Sequence, residues 1–407
     1  MDQTEALIIE TIDRHREEIL EFARDIYSHA ELGYKEFQTS GKFVKKMEQL
    51  GLRTEKGFAI TGVKAYLNED KKENASLALL GELDALRIPE HAFANPETNA
   101  AHCCGHHAQM AGVFGAALAL TVPEIAEKLD GQVVFFATPA EEYGEIEFKN
   151  QLREQGKIRY GGGKCELLRI GAFDDIDLCL THHIRPGNEI LVGSGTGNGF
   201  VSKVIRVLGK ASHAAGAPEK GVNALSAASL GLQALGLNRE TFRDEDCVRV
   251  HPIITKGGNL VNVIPDEVVV ETLVRGKTIE AFTDAAKKTD RSFKAGAIAM
   301  GAKVEISTLP GYLPTLAEEA LPELKHAAEI SASGIPVIEA SGHAGGSTDV
   351  GDVQHLMPVY TFNTGGVKGG LHQIDFEVTD EEEAYIVTAK MFALAAYGLL
   401  KEKAQRS

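Results

Sequence analysis

The sequence predicts an α/β fold, with a mainly parallel sheet covered by helices on both faces and interrupted by a smaller α+β domain. Short runs that are apolar on both faces end at Gly, Asp or Pro, and helical patterns separate them, as in buried parallel sheets. In the middle of the chain the order becomes strand, helix, strand, helix, strand, which predicts a separate two-layer domain. The expected boundaries are 196–311 for the inserted domain and 1–195 with 312–407 for the other.

Each element follows from the spacing of apolar residues. The first 50 residues show helical periodicity. The strands predicted for the main sheet lie within 76–86, 131–142, 175–184 and 357–366, and a helix is predicted within 111–129. The elements predicted for the inserted domain are strands in 200–214, 267–276 and 303–309 and helices in 221–235 and 278–300.

The composition limits the partners that we expect. The chain has 407 residues, 43% of them hydrophobic, and a formal net charge of −16. Such a charge repels nucleic acid and anionic membranes, which leaves a small-molecule substrate, although solubility alone also explains it. Five cysteines, two of them adjacent, do not form a secreted disulfide framework. Without a signal peptide or an apolar run of about 18 residues, the predicted location is the cytoplasm.

The stretch NAAHCCGHHAQMAG, residues 99–112, concentrates two cysteines and three histidines. Cys104 and His106 are separated by Gly105, so a tight turn lets both side chains face one ion. The stretch precedes a predicted helix, which places it at the edge of the sheet. Thiolates and imidazoles are ligands of divalent transition metals.

Further polar side chains stand where the apolar runs end. Glu141 and Glu142 follow one run, His182 and His183 follow another, and His372 comes after the last. Sites in open parallel sheets form outside the carboxyl ends of the strands, so we expect these groups to converge with the cysteine-histidine stretch on a metal site. The adjacent glutamates point differently, which suits one for ligation and the other for proton transfer.

Each group also has an ordinary explanation. A buried cysteine is usually a small hydrophobe, and we prefer that interpretation for Cys103, Cys165, Cys179 and Cys247. A histidine pair is more often one packed and one exposed ring, and a glutamate pair is more often solvated. Four such groups at the ends of separate runs nevertheless favour the metal site. No second cysteine or histidine pair has the spacing of a zinc finger.

The inserted domain carries its own polar residues. His213 follows a predicted strand, Asn262 lies in a loop and Arg275 ends a strand. These donors suit a carboxylate or an oxyanion. The residues alone favour the plainer alternative, in which Arg275 is a surface ion pair and Asn262 is a turn residue.

The chain resembles the dinuclear-metal amidohydrolase family of aminoacylases and carboxypeptidases, in particular the subgroup that hydrolyses N-acyl amino acids, indoleacetyl-amino acids and aminobenzoyl-glutamate. The matching segments are short, but together they are specific and span nearly the whole chain. They are SHAELGYKEFQTS (28–40), GELDALRIPE (81–90), HCCGHHAQ (102–109), ATPAEE (137–142), THHIRP (181–186), GKASHAAGAPEKGVNALSAA (209–228), NVIPDEVVVETLVRG (262–276) and GLHQIDF (370–376). The segment GGSTDVGDVQHLMP (345–358) is most similar to the aminobenzoyl-glutamate hydrolase branch.

The resemblance implies roles for individual residues. Those that match metal ligands are Cys104, His106, Glu142, His183 and His372. Glu141 matches the general base that deprotonates water and then protonates the leaving nitrogen. His213 matches a residue that reaches a neighbouring subunit's active site and holds the oxyanion, while Asn262 and Arg275 match residues that grip a substrate carboxylate.

The resemblance also implies the cofactors and the assembly. Members of the family bind two divalent metal ions per subunit, manganese or zinc, with cobalt also used. The inserted domain corresponds to the family's lid and dimerisation domain, which implies a homodimer or a higher homo-oligomer. The substrate is expected to be a small molecule that bears a carboxylate.

Four features depart from the family pattern. His107 stands where Asp or Asn is usual, and Cys103 replaces a small residue. Glu82 and Asp84 occupy positions where other branches have a ligating His-x-Asp, and we keep both as supporting residues beside the ligands. Residues 143–160 are a charged insertion after the glutamates. These departures leave the type of site in place and the substrate open.

The sequence therefore predicts a metal-dependent hydrolase of carbon–nitrogen bonds. Our first hypothesis is an amidohydrolase that cleaves an N-acyl or N-aroyl amino acid, similar to aminobenzoyl-glutamate, with metal-activated water. An alternative is an aromatic aminohydrolase that removes the amino group of an electron-poor aminobenzoate, similar to 5-nitroanthranilate, and releases ammonia. A third possibility is a non-catalytic metal-binding protein.

Overall fold

A computed structural model describes residues 1–332 and 334–401 of the chain. The chain divides into two compact units. The larger unit consists of Met1–Gly195, Leu316–Gly342 and Asp352–Ser407, and the smaller unit of Thr196–Thr315 and His343–Gly351. Residues 312–315 and 343–351, which the sequence analysis places in the larger domain, thus group with the smaller unit.

The helices are numbered along the chain. They are α1 (Gln3–Arg14), α2 (Arg16–Ser28), α3 (Phe37–Gln49), α4 (His106–Leu120), α5 (Pro123–Ala126), α6 (Ile146–Glu154), α7 (Gly163–Arg169), α8 (Ala224–Asn238), α9 (Ile279–Met300), α10 (Pro322–Ser331), α11 (Val350–Gln354) and α12 (Thr388–Leu400). A π-helical segment, Glu382–Val387, leads into α12.

The strands are numbered in the same way. They are β1 (Arg53–Phe58), β2 (Gly62–Leu67), β3 (Ser76–Glu82), β4 (Leu86–Arg87), β5 (Ala100–Ala101), β6 (Gln132–Thr138), β7 (Leu178–Ile184), β8 (Ile190–Val192), β9 (Thr196–Gly197), β10 (Gly199–Leu208), β11 (Arg249–Val250), β12 (Ile253–Lys256), β13 (Glu267–Gly276), β14 (Lys303–Pro310), β15 (Val337–Glu339), β16 (His343–Ala344), β17 (Val359–Thr364), β18 (Val367–Lys368) and β19 (Glu377–Val378).

An eight-stranded sheet forms the centre of the larger unit, in the order β1-β2-β6-β3-β7-β17-β8-β15. The central pairings β6–β3, β3–β7 and β7–β17 are parallel, as is β8–β15. Every residue of β3 and β6 is buried, because neighbouring strands and helices cover both edges and both faces. The predicted α/β fold with a mainly parallel sheet is therefore confirmed.

Helix α4 lies in the core of the larger unit, and all of its residues are buried. It begins at His106, so the core helix continues directly from the cysteine-histidine stretch. Gly115 lets it approach α12 closely, because a Cβ atom there would lie 2.5 Å from the Cβ of Ala389. The position of the predicted ligands thus depends on a tightly packed helix pair.

Within the described residues, one helical stretch, Glu382–Leu400, is long and apolar enough to cross a membrane by length and composition. No stretch of that kind was expected from the sequence. In its most apolar window, 83% of the residues are buried inside the protein. This burial is what a core helix packed against α4 requires.

The smaller unit is built on an antiparallel sheet in the order β11-β13-β10-β14, with β12 paired to β13. Helices α8 and α9 cover one face, and the core between them contains Ile205, Val268 and Phe293. The predicted strand-helix alternation is present here. Strand β12 was not predicted, because its four residues are all exposed and show no alternation of apolar and polar side chains.

We expect Gly115→Ala to destabilise the protein by about 1–3 kcal/mol, because the added methyl group would overpack the contact between α4 and α12. Gly41→Ala is the matched control, since Gly41 lies exposed in helix α3 and a Cβ atom there would meet no other atom within 4 Å. The free energy of unfolding of that control should rise by up to about 1 kcal/mol, because alanine has a higher helix propensity than glycine. Denaturant unfolding measures both, and equal effects would contradict the packing argument.

Candidate metal centre

The five predicted metal ligands meet at one place in the larger unit. The potential ligand atoms of Cys104, His106 and His183 all lie within 4.8 Å of one another, and so do those of Cys104, Glu142 and His372. Cys104 lies in the turn before α4 and His106 is the first residue of that helix, while Glu142 follows β6, His183 lies near the end of β7 and His372 follows β18. The expected convergence at the carboxyl ends of the strands therefore occurs.

Cys104 is common to both groups. Its Sγ lies 3.2 Å from Nε2 of His183 and 3.2 Å from Nε2 of His372. Nε2 of His372 is also 3.0 Å from Oε1 of Glu142. Two ligands of one zinc-sized ion are about 3–3.6 Å apart, given bond lengths near 2.0–2.3 Å. These spacings are those of residues that would hold divalent metal ions, and Cys104 belongs to both groups.

Gly105 shapes the turn that presents Cys104 and His106. Its φ is +90°, and a Cβ atom there would lie 1.9 Å from Cγ2 of Ile184. Only glycine combines that backbone conformation with so close an approach to β7. The tight turn inferred from the sequence is thus present and lies against the strand that carries His183.

Asp84 orients His106 and the glutamate turn together. Nδ1 of His106 lies 2.9 Å from the backbone oxygen of Asp84 and 3.3 Å from its carboxylate, so this nitrogen donates and Nε2 is left for an ion. The same carboxylate accepts the backbone N–H groups of Glu141 at 3.1 Å and Glu142 at 3.0 Å. Burial alone would raise the pKa of Asp84, but the hydrogen bond and charge of His106 outweigh it and lower this pKa.

His183 and His372 are also fixed through their surroundings. Nδ1 of His183 is 2.7 Å from the backbone oxygen of Ile184, which leaves its Nε2 towards Cys104. Burial and the charge of His106 lower the pKa of His183, favouring the neutral ring that binds metals. His372 has a φ of +62°, and its backbone N–H donates to the oxygen of Cys103.

Glu141 lies beside the ligands with its side chain buried. Its carboxylate is within 4.8 Å of the potential ligand atoms of His106 and Glu142. The turn before it needs Ala140 at φ +48°, and the N–H of Ala140 donates to buried Glu36 at 2.8 Å. Burial and the charge of Asp84 raise the pKa of Glu36 to about 7. The hydrogen bond from Ala140 to Glu36 therefore holds the turn that carries the two adjacent glutamates.

Burial, followed by the charge of Glu142, raises the pKa of the Cys104 thiol. A thiolate is the form that binds metal, so a bound divalent ion would supply the charge that favours deprotonation. The donor set of one thiol, three imidazoles and a carboxylate thus fits the divalent ions that the resemblance implies.

The departures at Cys103 and His107 do not add ligands to these groups. His107 packs between Tyr27 and Tyr385, with Nε2 3.2 Å from the Tyr385 hydroxyl. Its ring centroid lies 5.2 Å from that of His102. Burial and the charge of His106 lower the pKa of His107 to about 3, so the ring is neutral. The rings of Tyr27, His102, His107 and Tyr385 thus pack together, and we call this cluster the wall behind the ligand turn.

The predicted site residues of the smaller unit lie in two places there. His213 and Asn262 are exposed neighbours, since the backbone oxygen of Asn262 accepts the N–H of Ala214 at 2.9 Å. Nδ1 of His213 accepts the N–H of Gly216 at 2.9 Å, which directs Nε2 outward. Arg275 lies in β13, with its guanidinium carbon 5.9 Å from the ring centroid of Phe200.

Three buried polar residues beside the centre were not found from the sequence. Glu36 supports the glutamate turn, and Gln109 and Lys164 both contact Glu82. The available signal was weak. Lys164 lies within GGGKCELL and Gln109 within the mostly apolar helix α4, but their partner Glu82 is distant in sequence.

The family model described as Peptidase family M20/M25/M40 matches residues 78–397. The chain belongs to this family. Xaa-Arg dipeptidase of Mus musculus is 27% identical over 408 aligned positions, which cover 97% of this chain and 85% of that protein. One of the subunits of the p-aminobenzoyl-glutamate hydrolase of Escherichia coli (strain K12) is 27% identical over 315 positions, or 76% of this chain and 60% of that protein.

Among solved structures, the YXEP protein of Bacillus subtilis, described as a dinuclear metal binding peptidase from the M20 family, has a TM-score of 0.66 and 24% identity. The match covers 95% of this chain and 99% of that one and shows a common fold. Family membership confirms the resemblance and makes this chain a hydrolase of amide or peptide bonds, as predicted.

We expect Cys104→Ala to lose both metal ions, because the thiolate belongs to both ligand groups, and His372→Ala to lose about one. Cys103→Ala is the matched control, since that buried thiol is in neither group. Elemental analysis after dialysis against buffered zinc measures ions per chain. Equal metal content in Cys104→Ala and Cys103→Ala would rule out the shared ligand.

Proposed function

We propose that this protein hydrolyses the amide bond of an N-acyl or N-aroyl amino acid, of which aminobenzoyl-glutamate is the representative to test first. The observation that carries the proposal is a pair of ligand groups joined at Cys104, with the carboxylate of Glu141 beside them. A dinuclear centre next to a buried carboxylate is suited to the attack of water on a carbonyl carbon.

The residues Cys104, His106 and His183 would hold one divalent ion, and Cys104, Glu142 and His372 the other. Thiolate and imidazole suit zinc, and the carboxylate also suits manganese, with cobalt as a further choice. When bound, such ions supply Lewis acidity and lower the pKa of water to about 7.

Glu141 supplies the proton transfer that amide cleavage needs. Its backbone N–H is held by Asp84, and its buried carboxylate lies close to the ligand atoms of His106 and Glu142. In this position it takes a proton from the attacking water and delivers it to the leaving nitrogen, which otherwise departs as a poor leaving group. The neighbouring Glu142 is committed to ligation, so the two carboxylates divide the work.

The assignment of substrate-binding residues is part of the same proposal. The outward Nε2 of His213 is a suitable donor for the oxyanion that forms at the carbonyl carbon. Asn262 and Arg275 supply an amide donor and a guanidinium for the carboxylate of the amino-acid product. We also propose that the protein is cytoplasmic and acts as a homodimer or higher homo-oligomer.

The names of two relatives support an amino acid as the leaving group. An Xaa-Arg dipeptidase and a p-aminobenzoyl-glutamate hydrolase both release an amino acid that keeps its carboxylate, whereas their acyl groups differ. The similarity of residues 345–358 to the aminobenzoyl-glutamate branch supports an aromatic acyl group. The first of these points supports a substrate with a free carboxylate on the amine side of the amide bond.

We expect the zinc- or manganese-loaded enzyme to convert aminobenzoyl-glutamate, or a related N-acyl amino acid, into a carboxylic acid and an amino acid. Mass-spectrometric product analysis tests this on a panel that also includes electron-poor aminobenzoates. Free ammonia and a hydroxylated aromatic acid would replace the proposal with the aromatic aminohydrolase. Turnover of no amide and no aromatic amine by the fully loaded protein would favour a metal-binding role.

We expect Glu141→Gln to keep its metal and lose turnover by about 10²–10⁴-fold, because the amide cannot accept the proton. Glu147→Gln, an exposed glutamate in the first turn of α6, is the matched control and should match the wild type. Metal content and steady-state kcat are measured on the same samples. Activity of Glu141→Gln within a few-fold of the control would reject Glu141 as the base.

A further inference from the structure

A buried ion pair adjoins the metal centre and takes no part in the proposed reaction. Glu82 ends β3 and is 3% exposed, and Lys164, in α7, is 0% exposed. The ammonium of Lys164 donates to Oε1 of Glu82. Burying such a pair is expensive, and an apolar pair of similar size often stabilises a fold equally well. Its presence beside the ligands therefore calls for a role other than stability.

Glu82 is held in one orientation by a second partner. Nε2 of Gln109 donates to Oε2 of Glu82 at 2.8 Å, and the backbone N–H of Glu82 donates to Oε1 of Gln109 at 2.9 Å. The ammonium of Lys164 and the amide of Gln109 thus hold both oxygens of the carboxylate in place.

This carboxylate faces the nitrogen of His106 that is available to an ion. Oε2 of Glu82 lies 3.1 Å from Nε2 of His106, while Asp84 engages Nδ1 on the other side of the ring. Within the described part of the chain, this Nε2 accepts and donates no hydrogen bond. Glu82 therefore holds a full negative charge next to the place where His106 would bind an ion.

We propose that Glu82, anchored by Lys164 and Gln109, is a positioning residue that tightens the ion held by Cys104, His106 and His183. The inference rests on the proposed metal centre and adds to it a carboxylate that is not among the five predicted ligands. The physical reason is that a fixed negative charge in a water-poor interior stabilises a nearby divalent ion strongly. Lys164 keeps the pair neutral and the carboxylate in place.

Metal binding to the full-length apoprotein tests the role without reference to turnover. We would titrate zinc calorimetrically into the wild type, Glu82→Gln and the double variant Glu82→Gln with Lys164→Met. The double variant leaves no unpaired buried charge, so it separates the loss of the carboxylate from a folding defect. Lys64→Met is the matched control, since Lys64 is a buried lysine that lies in the same sheet as Glu82 and pairs with Asp175.

In both Glu82 variants we expect one of two zinc-binding steps to weaken by about 10–100-fold, the usual effect of losing support behind a ligand. The other step and the Lys64→Met control should match the wild type. Wild-type affinity in the double variant, or equal weakening of both steps, would overturn the inference. A wild type that binds two ions but hydrolyses no amide would defeat the proposed function and leave this inference standing.

Discussion

The contacts of Asp84 are the constraint on which the rest of the centre depends. Its carboxylate accepts the backbone N–H groups of Glu141 and Glu142, and its side chain and backbone oxygen both face Nδ1 of His106. One residue thus joins the turn after β6 to the start of α4. Because the two glutamates and the histidine share this anchor, the two predicted ligands and the proposed proton carrier keep a common geometry.

The centre balances charges that would be costly if they were alone. Glu82 is matched by Lys164, and the carboxylate of Asp84 is matched by backbone donors and His106. A buried thiol whose pKa is raised remains at Cys104. Burial favours the protonated thiol as long as no positive charge lies beside it. A bound divalent ion would supply that charge and favour the thiolate, so metal binding would be coupled to the release of a proton.

The sequence was informative where local pattern and chemistry coincide. Strands β3 and β6 are buried at every residue, so their apolar runs predicted a parallel sheet, and residues at strand ends predicted the ligand cluster. Lys164 escaped prediction, because its partner Glu82 lies 82 residues away and nothing local shows that this lysine is buried. The exposed strand β12 escaped for the opposite reason, since it has no buried face.

His102 and His107, which belong to the cysteine-histidine stretch, are buried beside the residues predicted as ligands. His107 is neutral and packs against Tyr27 and Tyr385, next to the buried ring of His102. Neutral rings exclude water from that side without adding charge, so they lower the local dielectric around Cys104 and His106. In such surroundings fixed charges act strongly on a bound ion. The wall of aromatic and imidazole rings therefore gives the carboxylates of Glu82 and Asp84 their effect.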